Sequence, residues 1–229
     1  MESELFNSFL AHLVLEDLTR GVHGELLHEV DVAGHLVPCH AGLNVVGHFS
    51  YGHGVLFLQK ERAFSLEQAT QIIAFSAVFG VLGTVLAGWL SDRVFRSDRI
   101  RPAILSGAVS FVALALFLYA GGGYVMNILY VSVFSLSIGV LYCIVAGLMA
   151  VDIVPRKATG AALGIVGISS YVAAGLQDIT SGYLIQYNTV RVDGMDVYDF
   201  GPVSYFWLAA ALVSFILPVM NWKKMKNNQ

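Results

Sequence analysis

The longest uncharged stretch of the chain limits its fold more than any other sequence feature. No Asp, Glu, Lys or Arg occurs in residues 102–151. About 20 apolar residues are enough for one helix to cross a bilayer core of about 30 Å, so this stretch has room for two spans. The glycines of "AGGGYVMN" (120–127) divide it, because adjacent glycines permit a tight turn. Only 13% of the residues are charged, whereas a soluble domain carries about 25%, so we predict a membrane protein.

Apolar segments elsewhere complete the predicted topology. The segment at 36–58 is weak because it contains Asn44, Pro38 and three histidines, and an interfacial or irregular segment is its alternative. We therefore predict an all-α membrane protein with five clear spans and one weak amino-terminal span. The predicted spans lie near 36–58, 68–91, 102–121, 126–151, 158–187 and 200–222.

Residues 1–35 differ in composition from the rest of the chain. They contain seven acidic residues and only one basic residue, and four of the histidines. We interpret them as a divergent, acidic, histidine-containing amino-terminal extension of a membrane domain at 36–229.

Basic residues in the short loops predict the orientation, because cytoplasmic loops of membrane proteins are enriched in Lys and Arg. Bases cluster at 93–101, at 156–157 and in the tail at 223–226, whereas the loop at 188–200 is acidic. We expect a multi-pass protein of the plasma membrane, here the bacterial inner membrane, with a cytoplasmic carboxy terminus.

Several function classes are not supported by the sequence. It has no nucleophile–base arrangement, no metal-ligand spacing among its histidines and cysteines, and no nucleotide fingerprint. We therefore expect neither an enzyme nor a bound cofactor or metal. The lack of a basic tail or of a basic patch with aromatic residues argues against nucleic acid as a partner.

The charged loop "GWLSDRVFRSDRIR" (88–101) closes the second predicted span. The enrichment of cytoplasmic loops in basic residues explains its arginines but not its aspartates or the spacing of the glycine before them. That spacing resembles the loop signature of the major facilitator superfamily, although Phe95 stands where the family usually has glycine. The matching positions are Gly88, Asp92, Arg93 and Arg96.

A second motif, "DIVPRKATGAALG" (152–164), resembles a conserved stretch of the organophosphate:phosphate antiporter branch of that superfamily. Proline ends one helix, and small residues at the start of the next one permit close approach to a neighbouring helix. The motif residues that we single out are Asp152, Pro155, Lys157, Gly160 and Gly164.

The resemblance implies that the chain is the carboxy-terminal six-helix half of a major facilitator fold. Such a fold binds its solute between two halves, so a second six-helix half or a homodimer partner is implied. The expected activity is exchange of a phosphorylated small solute for phosphate by alternating access within the lipid bilayer. A membrane sensor of a sugar phosphate and an inactive, truncated transporter fragment are the alternatives.

The resemblance also directs attention to four substrate-binding candidates. In the antiporters a basic residue of the first span of each half binds phosphate, but 36–58 contains neither Lys nor Arg, which leaves His48 and His53. Divergence and loss of the site is the alternative. Asp178 is the only charged residue within a clear span, and Gln177 lies beside it. An intramembrane carboxylate is a functional candidate by default, and a bond to a neighbouring helix is the alternative.

The loop motif has a separate predicted role. In the family, the loop that contains Asp92, Arg93 and Arg96 braces neighbouring helices by charge pairing that breaks and forms again during transport. Simple anchoring of the topology is the alternative.

Overall fold

The computed structural model describes residue 47 and residues 52–95, 100–149, 159–192 and 195–226. Helices dominate this part of the chain, and three of them continue into π-helical segments at Leu90–Val94, Leu116–Ala120 and Tyr142–Met149. The α-helices are α1 (Gly54–Lys60), α2 (Leu66–Trp89), α3 (Ile100–Ala115), α4 (Tyr124–Leu141), α5 (Thr159–Tyr187) and α6 (Gly201–Lys226). A two-stranded hairpin, β1 (Thr189–Val192) and β2 (Met195–Tyr198), joins α5 to α6.

A helix lies over each of the five clear predicted spans. Three of these helices are long and apolar enough to cross a bilayer, at Leu66–Val94, Arg101–Ala120 and Tyr124–Val145, which confirms an all-α membrane fold. Of the weak segment at 36–58, only Gly47 and residues 52–58 are described, and α1 has seven residues. Whether this segment spans the membrane, and the division of the chain at residue 35, stay predictions.

The helices pack in a definite order around the bundle. Helix α2 packs along α4, α4 packs on α3, α3 packs on α6, and α6 packs on α5. Phe57 of α1 is buried, with its ring 5.4 Å from the rings of both Phe117 and Phe200. Trp207 of α6 is also fully buried. Aromatic packing of this kind attaches the short α1 to the ends of α3 and α6.

Glycine brings the backbones of α2 and α4 into contact. A methyl group on Gly83 would meet the Leu136 carbonyl and lie 3.2 Å from the Cα of Gly139, and one on Gly139 would meet the Gly80 carbonyl. Small residues let membrane helices approach this closely and gain dispersion contacts. This contact explains why α2 and α4 form the most extensive helix pair of the bundle.

The predicted glycine turn is present between α3 and α4. Gly121 and Gly122 have φ angles of 68° and 118°, which residues with a Cβ rarely adopt. The guanidinium of Arg62 donates hydrogen bonds to the carbonyls of Phe117 and Leu118, at 3.2 and 2.9 Å. The last carbonyls of a helix lie beyond its regular hydrogen-bond pattern, and these two bonds attach the α1–α2 loop to the π-helical end of α3.

The hairpin is a feature that the predicted loop at 188–200 did not include. Its strands pair antiparallel from Thr189 with Tyr198 to Val192 with Met195. Arg191 and Asp196 face each other across it, with 3.8 Å between Nε and Oδ1, and both side chains are exposed. The Lys60 ammonium lies 5.3 Å from the Tyr198 ring, a cation–π contact that connects the hairpin to the end of α1.

Candidate functional site

The structure brings together two of the predicted substrate-binding residues. His53 immediately precedes α1, and Asp178 lies on α5, yet His53 Nε2 is 3.7 Å from Asp178 Oδ1. The His53 side chain is only 17% exposed, whereas that of Asp178 is 49% exposed. The pair therefore joins the first and fifth predicted spans and leaves part of the carboxylate accessible.

A buried hydrogen-bonded layer lies next to this pair. Gln177 and Ser181 are one turn apart on α5, and both are buried. The Ser181 hydroxyl oxygen accepts hydrogen bonds from Gln177 Nε2 and from Trp207 Nε1, each at 2.9 Å. The His53 ring stacks on the Trp207 indole with 6.2 Å between centroids and 24° between planes. We call His53, Gln177, Asp178, Ser181 and Trp207 the polar cluster.

Two buried atoms of the polar cluster have unused hydrogen-bonding capacity. Among the described residues, neither His53 Nε2 nor Gln177 Oε1 has a hydrogen-bond partner, and both atoms are inaccessible to solvent. A buried polar atom without a partner costs free energy. The half-exposed carboxylate of Asp178, which lies beside these atoms, is the group of the cluster that a polar ligand can reach in this structure.

Other predicted site residues lie elsewhere or outside the described residues. Gly88 is on α2, and Asp92 and Arg93 have exposed side chains on the π-helical segment that follows it. Gly160 and Gly164 are exposed on α5, and a methyl group on either would meet no atom within 4 Å. The predicted close approach to these glycines is thus not seen in this part of the chain. The positions outside the described residues are His48, Arg96, Asp152, Pro155 and Lys157.

Sequence reasoning did not assign a site role to Ser181 or Trp207. The spacing of Gln177 and Ser181, four residues apart on a helix, was the available signal, because such side chains face the same way. For Trp207 the signal was weaker. A tryptophan in an apolar span packs like any large side chain, although its indole N–H usually finds an acceptor when buried.

A cavity of about 300 Å³ lies between α2 and α4 beside their glycine contact. Its walls are largely apolar, and the hydroxyl-bearing residues among them are Thr84, Ser135 and Tyr142. None of the predicted site residues is among the residues that line it. The polar cluster is therefore the stronger candidate for a solute site.

Comparison with known proteins identifies the family to which the chain is similar. Residues 39–177, more than half of the chain, match the Major Facilitator Superfamily. The chain is 35% identical over 118 residues to the glycerol-3-phosphate transporter of Bacillus subtilis (strain 168), and this alignment covers 51% of the chain and 26% of that protein. It is 32% identical over 120 residues to the phosphoglycerate transporter protein of Salmonella typhimurium, with 51% and 25% coverage. The aligned segment thus spans about a quarter of each relative.

Proposed function

We propose that this chain, which belongs to the major facilitator superfamily, exchanges a phosphorylated small solute for inorganic phosphate across the bacterial inner membrane. The observation that carries the proposal is its similarity to two proteins named as transporters of phosphate esters, a glycerol-3-phosphate transporter and a phosphoglycerate transporter protein. Three apolar helices of membrane-spanning length support it, as does the lack of charge in the spans apart from Asp178.

The polar cluster is the proposed solute site of this half. A charge within a span is costly and is retained mainly where it binds or conducts something. Asp178 keeps about half of its side chain accessible, and His53 and Gln177 lie beside it. His48 belongs to the same predicted span as His53 and is proposed to lie along the same solute path.

Transport by alternating access needs two six-helix halves with the solute between them. We propose that a second copy of this chain or a separate polypeptide supplies the other half. The loop with Asp92, Arg93 and Arg96 is proposed to lie on the cytoplasmic side, where its charges form and break contacts between the two end states. Asp92 and Arg93 have exposed side chains, which supports this role. The residues of the second motif, from Asp152 to Gly164, are proposed to position the start of α5.

We also propose an orientation in the membrane that places the carboxy terminus in the cytoplasm. The basic tail at 223–226 supports it. A protease-sensitive epitope added after Gln229 should be cleaved in inverted membrane vesicles and protected in right-side-out ones. Cleavage in right-side-out vesicles alone would reverse the proposed topology.

Exchange in proteoliposomes tests the function. Vesicles that contain the purified full chain are loaded with labelled inorganic phosphate, and label efflux is measured after addition of glycerol 3-phosphate or phosphoglycerate outside. We expect both esters to accelerate efflux and glycerol to leave it unchanged. Protein-free vesicles are the control. Equal efflux with glycerol and with the esters would contradict exchange of phosphorylated solutes.

A further inference from the structure

We propose that the polar cluster binds the hydroxyl groups of the solute, and not its phosphate. This inference rests on the proposed function and assigns one end of the substrate to one set of atoms. The cluster would then distinguish a hydroxylated phosphate ester from inorganic phosphate, which has no carbon-bound hydroxyl group.

The unused hydrogen-bonding capacity of the cluster consists mainly of acceptors. An ionised carboxylate accepts and does not donate, and that of Asp178 is 49% exposed. Gln177 Oε1, a second acceptor, is buried without a donor among the described residues. The Ser181 oxygen already accepts two hydrogen bonds. Groups that complement such a site are donors, and an alcohol O–H is a donor of the required size.

His53 positions the carboxylate. Its Nε2 lies 3.7 Å from Asp178 Oδ1, within ion-pair range but without a hydrogen bond, and its ring is held against Trp207. Little of the His53 side chain is accessible to a ligand. Oδ1 thus faces His53, and the accessible part of the carboxylate remains for solute hydroxyls.

Phosphate has the opposite requirements. It is an anion whose oxygens need donors, and proteins usually supply arginine, lysine or backbone N–H groups for it. None of the five residues of the polar cluster is a lysine or arginine, and the Asp178 carboxylate repels an anion at close range. The phosphate group would therefore be bound by residues outside the cluster.

The ligands for a binding test are chosen from the names of the two relatives, which specify glycerol 3-phosphate and phosphoglycerate. Both molecules contain a carbon-bound hydroxyl group. Propyl phosphate has the same phosphate and the same number of carbons as glycerol 3-phosphate but no free hydroxyl. Binding is measured on the purified full chain in lipid nanodiscs by displacement of labelled inorganic phosphate.

For the wild-type protein we expect glycerol 3-phosphate to displace phosphate at about tenfold lower concentration than propyl phosphate, the effect of one hydrogen bond to a charged group. Asp178→Asn should bring the two esters to within about twofold of each other, because the solute hydroxyl loses its charged acceptor. Asp178→Glu, which keeps the carboxylate, should retain the preference. Asp196→Asn, the same change on the exposed hairpin, should behave as wild type.

The outcomes separate the two proposals. If both esters displace labelled phosphate from the wild-type protein at equal concentration, the hydroxyl assignment is overturned. This test uses no variant, so it does not depend on whether a variant folds. A folded Asp178→Asn protein that binds neither inorganic phosphate nor either ester also overturns the hydroxyl assignment. Asp178 would then be needed to bind the phosphate group. A wild-type protein that binds no phosphate at all contradicts the proposed function itself.

Discussion

Two sets of glycines in the molecule have opposite surroundings. On α2 and α4, Gly83 and Gly139 lie where the two backbones touch, and a methyl group on either would meet a carbonyl of the other helix. On α5, a methyl group at each glycine would meet no atom of the described residues within 4 Å. The α5 glycines are Gly160, Gly164, Gly167, Gly175 and Gly182.

The difference shows that glycine at helical spacing permits close approach but does not produce it. Helices α2 and α4 are held by backbone-to-backbone packing, whereas α5 meets α6 through the hydrogen bond between Ser181 and Trp207. In lipid, such packing and hydrogen bonds both contribute, because water does not drive the helices together. The two contacts should therefore respond differently to added volume and to the loss of a polar atom.

The largest loss of stability is expected for Gly139→Leu. The new side chain has no room against the Gly80 carbonyl, so α2 and α4 must separate, and overpacking should lower the free energy of unfolding by about 3 kcal/mol. The free energy of unfolding is measured by titration with sodium dodecyl sulfate in mixed micelles, with circular dichroism as the signal. Gly88→Leu is the control, since Gly88 has open space around it. An equal loss in both variants would contradict a specific α2–α4 contact.

A smaller loss is expected for Ser181→Ala. The substitution removes the oxygen that accepts from both Gln177 and Trp207, and we expect the free energy of unfolding to fall by about 1–2 kcal/mol. The same unfolding titration applies. Ser169→Ala is the matched control, because the Ser169 hydroxyl bonds only the Val166 carbonyl of its own helix in the described part of the chain. No difference between the two variants would show that the cluster does not hold α5 to α6.

The smallest change in the free energy of unfolding is expected for Gly175→Ala, and this change should be a gain in stability. With open space around Gly175, the variant gains helix propensity, and the free energy of unfolding should rise by up to about 1 kcal/mol. Gly83→Ala should lower it, since its methyl group meets the Leu136 carbonyl. A loss of stability in Gly175→Ala would show that another surface covers the α5 glycines in the folded protein.

The helices of the bundle could be predicted closely from the sequence. Every helix except the short α1 follows from an apolar stretch bounded by charge, by glycine or by proline. The predicted span at 126–151 lies over α4 and its π-helical extension, which together occupy 124–149. The family resemblance that rested on Gly88 to Arg96 and on Asp152 to Gly164 is confirmed, because the match to the superfamily includes both motifs. Charge and helix-ending residues act locally, so a single sequence reports them well.

The candidate site was less predictable, because its geometry depends on how distant helices pack. Asp178 could be singled out as the one charge in a clear span, and His53 as a basic residue of the first segment. Their approach to 3.7 Å depends on how the start of α1 packs against α5. The use of Ser181 as a shared acceptor depends on the packing of α5 against α6. The hairpin was missed for a different reason: Asp193, Asp196 and Asp199 made the segment look like an ordinary polar loop, since aspartate is uncommon in strands.

The three π-helical segments of the described chain bear on how such a protein tolerates changes in length. A residue inserted into a regular α-helix rotates everything beyond it by about 100° and moves buried side chains to the wrong side. A widened turn absorbs that extra residue, and the widened turns follow α2, α3 and α4 at Leu90–Val94, Leu116–Ala120 and Tyr142–Met149. Insertions and deletions of single residues between related chains should therefore concentrate at these helix ends, where they leave the intramembrane register intact.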